Sequence, residues 1–201
     1  MAEPPSSDKY LRRKVEVRVA AARLFRRHSF SGTSMDMLAA EMGLNKGTLY
    51  HYYKKKPDIL YDIIINPMRE LADKIDEIPL DRPLPEQITG IVEITVKQAS
   101  DWEDQVAVYF QESRYLDQWF SEDQLALLRK YEGRYAERLR LLLRQGQSTG
   151  SVIDIDPVVV RNALAGMTGF LYAWFDPHGR ISPEELGRMF ATLLLNGLMS
   201  R

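Results

Sequence analysis

The sequence predicts an all-α protein in which an N-terminal unit of three helices precedes a larger C-terminal helical domain. Apolar residues recur at helical spacing along most of the chain, and prolines, glycines and N-capping residues separate these stretches. Residues 88–96, with the sequence ITGIVEITV, are rich in β-branched side chains, but a single strand would have no sheet to join. We therefore expect a helix there as well.

The composition is that of a soluble globular protein. Of the 201 residues, 45% are hydrophobic and 27% are charged, which fits one domain or a small module joined to a larger one. No apolar run approaches the ~20 residues of a membrane span, and residues 1–8 lack the apolar stretch of a signal peptide. The absence of cysteine excludes disulfides and thiolate metal sites. These features predict a cytoplasmic protein with no membrane partner.

The charge is divided unevenly along the chain. The net charge is −1, yet the segment from Lys9 to Lys56 holds twelve basic and three acidic residues, so the rest of the chain carries −10. A basic module joined to an acidic body is typical of a protein whose one end binds a polyanion. Charge alone leaves a second interpretation open, namely a solvated helix face.

The first two helices are predicted within this basic segment. Tyr10–His28 places apolar residues at a helical period with arginines on the opposite face. Thr33 is expected to begin the second helix, with Asp36 three residues later as a shortened capping-box partner. Gly43 is expected to end it.

A third short helix follows closely. Asn45 is a good N-cap for a helix over Lys46–Tyr53. Two short helices joined by a tight turn that contains glycine form a helix-turn-helix.

The remaining helices are predicted from prolines and apolar periodicity. Pro57 suits the first turn of a fourth helix over Asp58–Asp76, and Pro67 should bend or break that helix near Ile65. Residues 78–85, which include three prolines, are expected to form a loop. The later helices are expected at 85–100, 103–115, 121–146, 157–175 and 183–198.

The run GLNKGTLYHYYKKK at residues 43–56 resembles the recognition-helix region of TetR-type transcriptional regulators. The resemblance extends over residues 10–61 and implies a DNA-binding domain at 1–56 and an effector-binding and dimerisation domain at 57–201. Two positions depart from the family pattern: Ser29 replaces the usual helix-ending glycine, and Pro57 replaces the usual glutamate. Neither lies in the recognition helix.

The resemblance and the side-chain chemistry together predict the DNA-binding residues. Phosphate contacts are expected from the long or phenolic side chains of Lys46, Tyr50, Tyr52 and Lys56, and from Thr33 and Ser34 at a helix N-terminus. Base contacts are expected from Thr48 and His51 in the middle of the recognition helix. Gly47 is expected to allow close approach to the DNA. For Tyr50 and Tyr52 a core role is open from the residues alone, and the family pattern favours phosphate. Leu49 and Tyr53 are expected to be apolar anchors.

The last two predicted helices are candidates for a homodimer interface. Residues 157–175 are apolar on nearly every side and contain several small residues, and residues 183–198 carry a broad apolar stripe. In the TetR family these two helices pair with their copies in a four-helix bundle. Burial within one subunit is the alternative interpretation.

A second resemblance concerns the effector. Residues 108–116 and 174–185 are similar to a TetR subgroup that regulates fatty-acid, steroid or related acyl degradation and often responds to acyl-CoA thioesters. A pocket for a hydrophobic or acyl-CoA-like small molecule needs apolar area and a few polar groups. The candidate lining residues are Tyr109, Phe110, Glu112, Trp119, Met167, Phe170 and Trp174. Each of them alone is more often part of a plain core, and for Glu112 the alternative is a solvent-facing or paired charge.

The sequence gives little support to catalysis, so we expect no enzyme activity, no cofactor and no metal. It lacks a glycine-rich phosphate loop and a zinc-protease motif, and its three histidines lie in separate segments. The expected function is a ligand-released repressor that binds a pseudo-palindromic double-stranded DNA operator as a dimer. The alternatives are a helical lipid- or small-molecule-binding protein or enzyme with an incidental basic module, and an architectural helix-turn-helix protein without an effector.

Overall fold

The computed structural model describes residues 7–200 and confirms the all-α prediction. The α-helices within this range are α1 (Ser7–Gly32), α2 (Met35–Glu41), α3 (Lys46–Tyr52), α4 (Lys56–Asp76), α5 (Leu84–Asp101), α6 (Glu103–Glu112), α7 (Leu116–Trp119), α8 (Glu122–Ser148), α9 (Pro157–Gly169) and α10 (Pro183–Leu198). Short 3-10 helices follow α6 at Ser113–Tyr115 and α9 at Leu171–Ala173. The described residues form no sheet, only an isolated β-bridge between Val152 and Met199. None of their helices is long and apolar enough to cross a membrane.

Three features of the helices differ from the predictions. The ninth helix ends at Gly169 rather than Phe175, because the chain turns there into a 3-10 helix. The short helix α7 was not predicted. A break at Pro67 does not occur, since α4 continues through it, and the alternative of a bend stays a prediction. Side chains supply hydrogen bonds around this proline: the Asn66 amide donates to the Asp62 carbonyl at 2.6 Å.

The N-cap of α2 is Ser34, and the prediction that Thr33 begins this helix is wrong. The Ser34 hydroxyl accepts the backbone N–H of Met37 at 3.1 Å. Thr33 is only 2% exposed, and its hydroxyl donates to the Ser29 carbonyl at 2.9 Å. Both residue types can cap a helix, and the burial of Thr33 decides between them. The predicted end at Gly43 is confirmed by its φ of +61°.

The chain divides into two compact units. The first contains the described residues up to Asn66 together with Asp104–Leu125, and the second contains Pro67–Glu103 and the residues from Ala126 onward. In the first unit α1, α2 and α3 pack against one another as the helix-turn-helix requires. In the second, α5 packs against α10 and α9 around an apolar core that includes Ile88, Val92 and Leu164. These packing units differ from the predicted functional division at residues 56 and 57, because nearly all of α6 and α7 belongs to the first unit.

Ser29 holds a backbone conformation that favours glycine. It interrupts α1 with φ 64° and ψ 164°, and it is the position at which the resemblance calls for glycine. Such a conformation costs a non-glycine residue ~1–3 kcal/mol. The Ser29 hydroxyl offsets part of this free-energy cost because it accepts a hydrogen bond from the N–H of Gly32 at 3.2 Å.

We expect Ser29→Gly to raise the free energy of unfolding by about 1 kcal/mol. Relief of backbone strain exceeds the lost hydrogen bond and the added flexibility of the unfolded chain, each worth ~0.5–1 kcal/mol. Urea denaturation measures the difference. Ser31→Gly, two residues later, is the matched control and should lower the stability instead. A Ser29→Gly variant no more stable than the parent would contradict strain at this position.

Candidate DNA-binding site and ligand-binding residues

The recognition helix α3 is fixed in place by its cap and by two buried anchors. The Asn45 side chain accepts the backbone N–H of Thr48 at 2.8 Å and the Thr48 hydroxyl at 2.9 Å. Leu49 is fully buried and Tyr53 is 3% exposed, which confirms both as anchors. The Tyr53 hydroxyl donates to Asp62 on α4 at 2.9 Å, and burial raises the pKa of this phenol. These anchors therefore fix which side of α3 faces away from the protein core.

The predicted DNA-binding residues of α3 are all at least partly exposed. Lys46, Gly47 and His51 are exposed, while Thr48, Tyr50 and Tyr52 are half-buried. Among residues 7–200, a Cβ built on Gly47 would meet only the Asn45 side chain, at 3.5 Å, so packing against these residues does not require glycine there.

Tyr10 on α1 supports the recognition helix and is not among the predicted site residues. Its ring stacks on Tyr52 at 5.2 Å between ring centroids and meets His51 edge-on at 5.7 Å. Tyr52 thus has a structural contact in addition to its predicted role. No sequence signal pairs these positions, because the contact depends on how α1 crosses α3.

The predicted phosphate residue Lys56 is engaged inside the protein. Its ammonium donates to the carbonyls of Phe30 at 2.6 Å and Thr33 at 2.7 Å, and it lies 4.2 Å from the centre of the Phe30 ring. Burial lowers the pKa of Lys56. These contacts favour a structural role over the predicted phosphate contact. The neighbouring Lys54 and Lys55 are exposed, and the KKK run was the signal that could have selected them.

Lys46 forms an exposed ion pair with Asp36 on α2, at 2.8 Å between nitrogen and oxygen. The hydrogen bond to Asp36 raises the pKa of Lys46 and keeps it charged. An anion approaching Lys46 must compete with this carboxylate, which also repels it directly.

We expect Asp36→Asn to strengthen DNA binding about two- to five-fold at low salt, because it removes a competitor for Lys46 and a like charge near the phosphates. Titration of labelled duplex at two salt concentrations measures the change. The gain should vanish in the Lys46→Ala background, where there is no lysine to release. An unchanged affinity in Asp36→Asn would show that Lys46 does not meet the DNA.

Two of the predicted ligand residues, Glu112 and Trp119, lie in the first compact unit beside the kink in α1. Glu112 is 6% exposed and accepts the backbone N–H of Phe30 at 3.0 Å. The Trp119 ring packs against Phe30 at 4.9 Å between centroids. Nearby, Arg26 pairs with Asp104 at 2.8 Å. Glu112 and Trp119 border a groove of about 690 Å³.

The other five predicted ligand residues are spread over both units. Tyr109 is half-buried and Phe110 is 40% exposed in the first unit. In the second unit Met167 is half-buried, while Phe170 and Trp174, which lie beyond the end of α9, are more than half exposed.

Comparison with known proteins identifies the family. Residues 17–63 match the family of bacterial regulatory proteins described as tetR, and residues 81–198 match the tetracyclin repressor-like C-terminal domain. The chain belongs to the TetR family. The two matches cover the helix-turn-helix and all of the helices from α5 to α10, so the TetR-type DNA-binding transcriptional regulator predicted from the sequence is confirmed.

Individual relatives match this TetR regulator over nearly its whole length. The HTH-type transcriptional repressor KstR2 of Mycolicibacterium smegmatis is 25% identical over 193 residues, which are 92% of this chain and 90% of the relative. The structure of the ketosteroid transcriptional regulator KstR2 of Mycobacterium tuberculosis has a TM-score of 0.83 at 19% identity and covers 94% of this chain and 96% of its own. AibR in complex with isovaleryl coenzyme A and operator DNA has a TM-score of 0.74 at 22% identity, with coverages of 91% and 98%.

Proposed function

We propose that this TetR regulator is a repressor that binds a pseudo-palindromic operator as a homodimer and releases it when a hydrophobic or acyl-CoA-like effector binds. The observation that carries the proposal is the capped recognition helix α3, with the exposed Lys46 at its start and the exposed Lys54 and Lys55 just after its end. Two copies of such a helix must enter successive major grooves about 34–36 Å apart.

The DNA-binding half of the proposal is supported by the roles available to each side chain. Lys46 is the phosphate contact, aided by the exposed Lys54 and Lys55, and Ser34 offers a hydroxyl at the start of α2. Thr48 and His51 are the candidates for base edges. Gly47 leaves room for close approach of the DNA backbone, since no packing against the part of the chain that the structure describes explains its small size.

The homodimer is supported by apolar faces that the subunit leaves uncovered. On α9 and just beyond it, Val159 and Phe170 are 56% and 59% exposed, and on α10 Met189 and Leu193 are 46% and 64% exposed. Met189 and Leu193 are four residues apart and therefore share one helix face. Exposed apolar residues on faces of this kind mark association surfaces.

We expect Leu193→Asp to convert the dimer into monomers, since the carboxylate would be buried without a partner in the interface. Analytical ultracentrifugation measures the mass. Leu80→Asp is the matched control, because Leu80 is 76% exposed and lies in the loop before α5. Loss of the dimer should also lower the affinity for the operator. An unchanged mass for Leu193→Asp would place the dimer interface elsewhere.

The effector class is supported by the second sequence resemblance and by AibR, which has this fold and was crystallised with isovaleryl coenzyme A. The predicted lining residues remain the candidates for contact with the ligand. The test uses the DNA upstream of the protein's own gene in a gel shift, with short-chain, long-chain and steroid-ring acyl-CoA thioesters, free fatty acids and aromatic acids as competitors. Release by the thioesters supports the proposal, and intact DNA binding that no compound reverses contradicts it.

A further inference from the structure

The groove beside the C-terminal end of α1 has the dimensions of a small-molecule site. Its volume of about 690 Å³ lies within the ~300–1,000 Å³ usual for ligand pockets. One wall comes from the last residues of α1 and the other from the end of α6, the 3-10 helix after it and α7, all within the first compact unit. A concave site with walls from two elements suits a small ligand better than a convex duplex.

Five polar side chains of this groove are exposed to solvent and have no partner among the described residues. They make no hydrogen bond or ion pair with any of residues 7–200. They are Arg27, His28, Ser31, Gln111 and Gln118. In addition, the indole N–H of Trp119 is buried without a hydrogen-bond partner in the described chain. An unsatisfied buried donor of this kind costs free energy.

The charges of the groove favour an anion at Arg27. Arg26 is neutralised by Asp104, and the Glu112 carboxylate accepts the Phe30 N–H with Lys56 nearby. Arg27 has no carboxylate partner among the described residues. A guanidinium flanked by hydroxyl and amide groups is suited to phosphate, which it can bind through two parallel hydrogen bonds.

The aromatic component of the groove favours a ring on the same ligand. Tyr115 is 49% exposed in the groove wall, and a flat heteroaromatic ring can stack on its face. We propose that this groove binds an organic phosphate that carries a heteroaromatic base, the chemistry shared by nucleotides and coenzyme A. A role of this ligand in DNA release rests on the proposed function, whereas its binding does not.

The experiment is calorimetric titration of the full chain without DNA, using adenosine 3′,5′-bisphosphate, coenzyme A and pyrophosphate. Adenosine bisphosphate should bind saturably, and pyrophosphate more weakly because it has no ring. Arg27→Gln should weaken adenosine bisphosphate binding about tenfold or more, whereas Lys130→Gln on α8 should not change it. Tyr115→Ala should reduce the affinity for adenosine bisphosphate toward that for pyrophosphate. Tighter binding of coenzyme A than of the bisphosphate would identify coenzyme A as the source of the phosphate.

Two outcomes would overturn the inference. The first is the absence of saturable binding of all three probes at millimolar concentration by a folded protein. The second is an Arg27→Gln variant that keeps its bisphosphate affinity but loses affinity and salt dependence toward duplex DNA, which would make Arg27 a DNA contact. The titration contains no DNA and therefore tests binding to the groove alone. If a nucleotide binds in the titration but does not release operator DNA in the gel shift, its role as effector is wrong and the assignment of the groove stands.

Discussion

Replacing Phe30 by Ala is expected to lower the free energy of unfolding by about 3–5 kcal/mol, the usual cost of deleting a buried phenylalanine. Phe30 is fully buried, and its ring meets those of Phe25 and Trp119 at 5.2 and 4.9 Å between centroids. It therefore connects the end of α1 to α7, and no neighbouring side chain can fill the cavity without moving one of these rings.

The urea midpoint of the unfolding transition measures this loss. Phe110→Ala is the matched control, because Phe110 lies on α6 in the same unit but is 40% exposed. Its truncation should cost about 1 kcal/mol or less. If Phe30→Ala were no more damaging than Phe110→Ala, the packing of α7 against the end of α1 would be incorrect.

Lys56→Met is expected to destabilise the protein by about 1–3 kcal/mol while leaving the salt dependence of DNA binding unchanged. Methionine keeps the apolar stem but removes the donor to the carbonyls of Phe30 and Thr33, and hydrogen bonds to a charged group contribute ~1.5–3 kcal/mol each. The desolvation that lowers the pKa of Lys56 offsets part of this contribution.

Lys55→Ala is the control with the opposite profile, since Lys55 is exposed and should lose DNA affinity without losing stability. If Lys56→Met had normal stability and a reduced salt dependence of DNA binding, the prediction that Lys56 contacts phosphate would be supported instead. The Lys56 and Phe30 effects should not add, because the ammonium lies over the Phe30 ring.

The features that the sequence predicted well are those set by neighbouring residues. The last helix has the predicted bounds, Pro183–Leu198, because Ser182 caps it and proline suits its first turn. The Asn45 cap and the Gly43 stop are equally local. Even where α-helix and strand propensities compete, as in residues 88–96, the lack of a partner strand was sufficient to predict α5.

The features that the sequence did not predict depend on contacts between distant segments. The ammonium of Lys56 was assigned to phosphate because nothing local shows that carbonyls from the end of α1 surround it. Thr33 and Ser34 are both good caps, and tertiary burial selects Ser34. The bond from the Phe30 N–H to Glu112 likewise joins residues 82 positions apart. Thr48 and His51, by contrast, could be proposed as base contacts from the sequence, because the recognition helix is one continuous stretch of the chain.

Footprinting combined with salt titration tests the central claim most directly, that two copies of α3 bind one operator through phosphates. On the DNA upstream of its own gene, the protein should protect two half-sites related by two-fold symmetry, with centres about 10–10.5 base pairs or a multiple of that apart. The logarithm of the affinity should fall steeply with the logarithm of the salt concentration, and Lys46→Ala should reduce that slope by about one unit per protomer. Protection without two-fold symmetry, or an affinity that does not change with salt, would contradict the account.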